Sequence, residues 1–194
     1  MAILVERESL TTKSRHVSPS YVDFDSEQVL VGSENPIPIQ DVGKLRLLEG
    51  RAYAIGAVYP FSAPLAAGAS INIAIAFPSG VNPVFSIQGL CGGDAMGYLY
   101  EGSSVTGGTS IVPINKNRTS TTASQGVALL NPTVTSFGTT LLEQILIGGS
   151  GKKASGGQTG ASDIVLKGLT TYLFRLTNVN GTDHAAEIIL EWYE

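Results

Sequence analysis

Charged side chains are scarce in this chain of 194 residues. They make up 14% of it, well below the roughly 25% that is usual for soluble globular proteins. No charged residue lies between Arg51 and Asp94, and none lies between Arg118 and Glu143. The net charge of −4 and the lack of a long basic run argue against nucleic acid as the main partner, because binding phosphates needs a concentrated basic surface.

Cysteine and long apolar runs are also nearly absent. Cys91 is the only cysteine, which excludes an intrachain disulfide and a cysteine-rich zinc site. Its setting in GLCGGD predicts a buried, inert thiol at a strand end. No apolar run approaches the roughly 18 to 20 residues that span a membrane, and the first residues lack the pattern of a signal peptide. We therefore expect a protein that is made in a cytoplasm and has no membrane span.

The two neutral segments carry information about the surface of the protein. A lone domain of this size normally places charges on the solvent side of every strand. Long neutral strands therefore predict that part of the outer surface faces another subunit, since charges are depleted at the centre of interfaces. The alternative is a solvent-exposed surface that is merely rich in Ser and Thr.

Glycine and other turn-forming residues are plentiful. The 23 glycines and nine prolines help to separate many short runs in which apolar residues recur at every second position. Two of these runs predict a buried strand face most clearly, the first made of Ile71, Ile73, Ile75 and Phe77 and the second of Ala186, Ile188, Leu190 and Trp192.

About ten such runs without a convincing long helix predict an all-β fold, an antiparallel β-sandwich or jelly-roll-like domain over residues 44–194. The runs KLRLLEG and RAYAIGAVY are predicted as strands, LLEQILI fits a strand or a short helix, and NGTD at 180–183 predicts a hairpin turn. Residues 1–43 are poor in apolar residues and interrupted by prolines. They predict an extended or partly ordered N-terminal arm with one short strand, Gln28 to Val31. This arm either orders on a partner surface or is a disordered terminus.

Motifs for catalysis and for metal or nucleotide binding are weak. GGSGKKASGGQTG departs from a P-loop because Leu146 occupies a required glycine position and Lys153 stands where Ser or Thr is needed. His16 and His184 are too few for a zinc site of three or four ligands, and there is no G-x-S-x-G elbow. We therefore predict no enzymatic activity, no cofactor and no metal.

Two stretches resemble segments of small structural proteins of tailed bacteriophages that are often encoded beside the major capsid protein. The first is YEGSSVTGGTSIVPINKNRTS at 100–120, and the second is LKGLTTYLFRLTN at 166–178 together with the closing EWYE. The matching positions are Tyr100, Glu101, Gly102, Gly107, Gly108, Thr109, Pro113, Asn115, Asn117, Arg118, Tyr172, Phe174, Arg175, Trp192 and Tyr193.

The resemblance implies a non-enzymatic virion protein, a capsid decoration or cement protein on the outside of a phage head. It also implies a homo-oligomer, often a trimer, with the major capsid protein as partner and with neither nucleic acid nor membrane involved. The alternative is a receptor- or carbohydrate-binding module of a phage tail or fibre.

Ten residues are candidates for contacts with other subunits. Arg118 lies in a polar loop, where its guanidinium could bind a carboxylate or carbonyl of a neighbour or pair with Glu101 of the same subunit. The full set is Arg7, Lys13, Arg15, Tyr100, Glu101, Asn115, Lys116, Asn117, Arg118 and Tyr193.

Overall fold

The computed structural model describes residues 42–146 and 163–194, and before them only the strand segments 3–4, 19–22 and 28–30. The chain divides into two compact units, Met1–Asp41 and Val42–Glu194. The boundary lies two residues before the one expected from the sequence.

The first unit contains a small antiparallel sheet. Its strands are β1 (Ile3–Leu4), β2 (Pro19–Val22) and β3 (Gln28–Leu30), in the order β1-β2-β3. The strand predicted at Gln28 to Val31 corresponds to β3, whereas β1 and β2 were not predicted.

The second unit consists of one short helix and thirteen strands within its described residues. The elements are α1 (Val42–Leu48), β4 (Ala52–Tyr59), β5 (Ser70–Ala76), β6 (Val84–Cys91), β7 (Ala95–Glu101), β8 (Ser104–Thr106), β9 (Thr109–Ile111), β10 (Ile114–Asn115), β11 (Val127–Leu130), β12 (Thr133–Ser136), β13 (Thr139–Leu146), β14 (Ile164–Val165), β15 (Thr171–Asn178) and β16 (Ala186–Tyr193).

The strands of this unit form two main antiparallel sheets with an interleaved order. The five-stranded sheet runs β10-β4-β16-β6-β14, and the six-stranded sheet runs β13-β7-β15-β5-β11-β9. When the strands β8 to β12 are left out, eight strands remain, β4 to β7 and β13 to β16. Counted along the chain, the first, eighth, third and sixth of these lie side by side in one sheet, and the second, seventh, fourth and fifth lie in the other. This order is the topology of a jelly roll, so the all-β prediction is confirmed. β8 and β12 pair separately as a two-stranded ribbon.

An aromatic cluster fills the core between the two sheets. The rings of Phe85 and Trp192 stack with centroids 5.0 Å apart, and Phe85 also stacks at 5.6 Å on Phe174 of the opposite sheet. Phe77 places its ring edge-on to both Phe85 and Trp192. Every residue of the two predicted buried faces is at most 4% exposed. Cys91, the last residue of β6, is buried as predicted.

The prediction of a strand at KLRLLEG is wrong, because these residues form most of α1. Lys, Leu and Arg favour helix over strand on intrinsic propensity. The helix ends in a Schellman motif, in which Gly50 at φ 70° donates to the carbonyl of Leu47 and Arg51 donates to that of Arg46. The ambiguous run LLEQILI is a strand, β13.

The hairpin predicted at NGTD is also wrong. β15 and β16 belong to different sheets, so the chain between them crosses from one sheet to the other. Asn178, which is 0% exposed, fixes this crossing. Its amide donates to the carbonyls of Leu65, Ala66 and Thr182, and its carbonyl accepts from the backbone of Asn180.

Candidate functional site: a charge-poor sheet face

The outer side of the five-stranded sheet carries few charged side chains, and we call it the neutral face. Its members alternate with the buried core residues of the same strands, and cross-strand register places them in rows. One row reads Val58, Glu187 and Leu90, and the next reads Gly56, Ile189 and Gln88. The remaining members are Ala54, Val84, Ser86, Ile114, Val165, Glu191 and Tyr193.

Several branched apolar side chains on this face are open to solvent. Val58 is 60% exposed, Ile114 57% and Val165 62%. Single exposed apolar residues are normal, but these three belong to one sheet face. They lie on β4 and on the two edge strands β10 and β14, so they mark a broad face with dispersed apolar side chains and not one contiguous patch.

The neutral face has two charged members, Glu187 and Glu191 of β16, and Lys116 lies beside it at the end of β10. Glu191 pairs with Lys116 at 2.8 Å, and both side chains are more than a third exposed. Such a surface pair contributes at most about 1 kcal/mol. Glu187 makes no ion pair with any other described residue. The hydroxyl of Tyr193 donates to Asp163 at 3.4 Å.

A cleft of about 560 Å³ opens at one end of the neutral face. Its walls include Val58, Leu90 and Glu187, and the ring of Phe61, 86% exposed, stands at its rim. The cleft gives this end of the face a concave, largely apolar shape suited to a side chain of another protein.

The predicted contact loop around Asn115 is built mainly by bonds within the chain. Asn115 is buried, and its amide donates to the carbonyls of Gly50 and Thr122. The amide of Asn117 donates to the carbonyl of Leu48. These bonds tie the loop to the end of α1, which places Lys116 beside the neutral face.

The alternative in which Arg118 pairs with Glu101 is wrong. The guanidinium of Arg118, which is exposed, donates to the backbone carbonyl of Asn115 at 3.4 Å. Glu101 instead accepts from Lys167 at 2.9 Å and from the hydroxyl of Tyr172 at 2.8 Å. These hydrogen bonds, first that of Lys167 and then that of Tyr172, lower the pKa of Glu101.

A second cluster lies on the outer side of the six-stranded sheet, and we call it the aromatic patch. Tyr98 and Tyr100 stack with ring centroids 5.6 Å apart, and Phe137 lies 5.0 Å from Tyr100. The guanidinium of Arg175 sits 5.0 Å from the centroid of Phe137. Burial raises the pKa of Tyr100. The sequence pointed to Tyr100, but Phe137 was not predicted because it lies in a loop far away along the chain.

Some predicted features fall outside the described residues. These are the arm cations Arg7, Lys13 and Arg15, the histidine His16, and the whole glycine-lysine segment at 148–160. His184 lies within them, and its ring contacts the hydroxyl of Thr182 at 3.0 Å.

Within 42–146 and 163–194, no three potential ligands cluster to hold a metal ion. The helical segment described there is too short to cross a membrane.

Comparison with protein families, curated proteins and solved structures found no match. The function must therefore be argued from the residues and their geometry.

Proposed function

We propose that this protein is a non-enzymatic structural subunit of a virion, a decoration or cement protein that binds the outside of a phage head as a homo-oligomer. The neutral face is the observation that carries the proposal. In a solitary molecule, its exposed branched side chains would remain hydrated. Contact with a second copy removes them from water, at about 25 cal/mol per Å² of apolar surface.

The fold supports the same role. A jelly roll is a rigid scaffold found in viral capsid proteins as well as in lectins and enzymes, so the fold alone does not determine the function. Residues 100–120 and 166–178 resemble segments of tailed-phage structural proteins, and this resemblance favours a role in the virion over a role as an enzyme.

Attachment to a capsid would depend on several weak contacts acting together. Linking sites raises the overall affinity by about 10² to 10⁴ without any new contact. Oligomerisation through the neutral face supplies that linkage, and a trimer suits the resemblance. The arm cations Arg7, Lys13 and Arg15 provide contacts to the major capsid protein.

The test uses capsids assembled from the major capsid protein of the same genome, with sedimentation as the readout. We expect the full-length protein to pellet with capsids and to behave as an oligomer in solution. Val58→Lys together with Val165→Lys should lower both the solution mass and the capsid affinity, because two ammonium groups would lose their hydration in a contact that buries apolar side chains in the wild type.

Val112→Lys is the matched control, because Val112 is 81% exposed and lies outside the neutral face. It should change neither mass nor capsid affinity. A wild-type protein that does not bind capsids would refute the decoration role. An unchanged mass in the double variant would refute the neutral face as the subunit contact.

The arm is tested separately by deleting residues 1–35. We expect the remaining chain to keep a cooperative thermal unfolding transition and its oligomeric state but to lose capsid attachment. Attachment at wild-type strength would show that Arg7, Lys13 and Arg15 take no part in it.

The aromatic patch favours one second candidate, a glycan-binding module of a phage tail or fibre. Aromatic rings beside a guanidinium are a common surface for sugars, since the ring packs on the C–H side of the sugar and the guanidinium donates to its hydroxyls. A glycan array decides between the two candidates. Binding that is lost in Tyr100→Ala would support a glycan-binding module, and no signal across a broad array would contradict it.

A further inference from the structure

The two main sheets end in four edge strands of unequal length. β10 and β14 have two residues each and β9 has three, whereas β13 has eight. Short edges present few unpaired backbone groups, which is one way in which native proteins prevent unwanted strand pairing. β13 does not have this protection, and within the described residues it pairs with β7 on one side only.

The side chains of β13 also fail to protect its edge. Leu141 is 38% exposed, Leu142 44% and Ile145 69%. The strand contains no lysine or proline, and Glu143 is its only charged residue. A long apolar edge of this kind is predicted to pair with another strand.

We propose that β13 pairs in antiparallel fashion with β13 of a second copy, across a two-fold axis centred on Gln144. The pairing would join the two six-stranded sheets into one continuous sheet. It is an isologous contact, in which each copy uses the same residues.

The register follows from the bulge in β13. The register against β7 shifts between Thr140 and Leu142, and it is regular from Leu142 to Leu146. The centre of this regular run is Gln144. An axis there uses all five residues of the run, and it sets Gln144 opposite Gln144 of the second copy and Leu142 opposite the second copy's Leu146.

The position of the single charge supports a second copy in this register. With the axis on Gln144, Glu143 lies opposite Ile145 of the second copy. An axis on Glu143 would instead place two carboxylates directly opposite each other, which is destabilising. The charge on β13 is therefore compatible with self-pairing at Gln144.

The same contact closes an opening between the two sheets. A cavity of about 60 Å³ lies there, with Leu142 and Gln144 in its wall beside the core residues Leu99 and Phe174. A strand added at the edge of β13 would cover this side of the cavity.

This inference does not rest on the virion role or on the neutral face, because β13 lies in the other sheet. Pairing at β13 would double the number of subunits in the oligomer that forms through the neutral face.

The experiment starts with disulfide cross-linking of Gln144→Cys in the full chain. Cys91 is buried, so an introduced surface thiol is the reactive one. Opposed Cα atoms in an antiparallel pair are about 4.5 to 5.5 Å apart, which suits a disulfide. We expect a covalent dimer on a non-reducing gel.

Glu143→Cys is the register control and should cross-link much less. A monomer from Gln144→Cys would overturn the proposal, and a dimer from Glu143→Cys alone would overturn the register.

The solution mass gives a second readout. Ile145→Glu places a carboxylate directly opposite Glu143 of the second copy, which is destabilising, and should halve the mass measured by light scattering. Val127→Glu, at a position 65% exposed on β11, is the control and should leave the mass unchanged. An unchanged mass in folded Ile145→Glu would refute pairing at β13.

Discussion

Replacing Phe85 by alanine tests the packing that holds the two sheets together. The ring of Phe85 is 0% exposed, and it lies between Trp192 at 5.0 Å and Phe174 at 5.6 Å. Removing a buried Phe typically costs about 3–5 kcal/mol, of which each stacked pair accounts for about 0.5–1.5 kcal/mol. We expect a loss at the upper end of that range, because three ring contacts disappear, those to Trp192, Phe174 and Phe77, and the rigid neighbours cannot close the cavity.

Urea unfolding followed by fluorescence measures this loss. Trp192 is the only tryptophan and is 1% exposed, so its emission reports the opening of the core. Because removing Phe85 changes the emission spectrum of Trp192 itself, circular dichroism is needed as an independent probe of unfolding. At the same protein concentration it should give the same midpoint.

Val112→Ala is the control, because Val112 is 81% exposed and should change stability by less than about 0.5 kcal/mol. The Phe85 variant should leave the slope of the unfolding free energy against urea unchanged. A loss below about 1.5 kcal/mol for Phe85→Ala would refute the inter-sheet stack as a main source of stability.

Two further predictions concern Glu101 and the turn at Gly138. Because hydrogen bonds from Lys167 and Tyr172 lower the pKa of Glu101, its stabilising effect is complete above the unfolded-state value and is lost as pH falls through the lower folded-state value. Thermal melts at pH 7 and pH 3 should therefore differ less in Glu101→Gln than in the wild type, and an equal difference would contradict this. Gly138 has a φ of 74°, and a Cβ at this position would overlap the carbonyl oxygen of Glu101. Gly138→Ala should therefore lower the free energy of unfolding in urea by several kcal/mol. Gly107→Ala, at φ 64° in open space, should cost only about 1 kcal/mol, and equal losses would show that the overlap does not matter.

The strand faces could be predicted from the sequence because they depend on local alternation. Ile73 and Leu190 are each 0% exposed. This agrees with the alternation of apolar residues at every second position, which is typical of a strand with one buried face. Trp192 was predicted on the buried face of its strand and belongs to the core, whereas the next residue, Tyr193, does not.

The two wrong predictions, at 44–50 and at 180–183, have different causes, the first local and the second long-range. Alternation at 44–48 fits a strand as well as a helix, and the Schellman motif at Gly50 was the missed local signal. NGTD is a good hairpin sequence, but the sheet in which each flanking strand pairs is decided by residues far away along the chain. The bonds of Asn178 to the carbonyls of Leu65 and Ala66 are of this kind.

The candidate site was predictable as a property of the composition but not as a set of residues. The neutral stretch after Arg51 suggested a covered surface, and β4 and β6 from that stretch contribute Val58 and Leu90 to the neutral face. Asn115 and Asn117 were predicted as contact residues, and the structure shows that their amides bind backbone carbonyls within the chain.

A density map of the assembled particle tests the central claim most directly. We predict that Val58, Ile114 and Val165 of each copy are covered by protein, with the outer side of the five-stranded sheet facing a sister copy or the capsid. A map in which this sheet face meets only solvent in every copy would contradict the account.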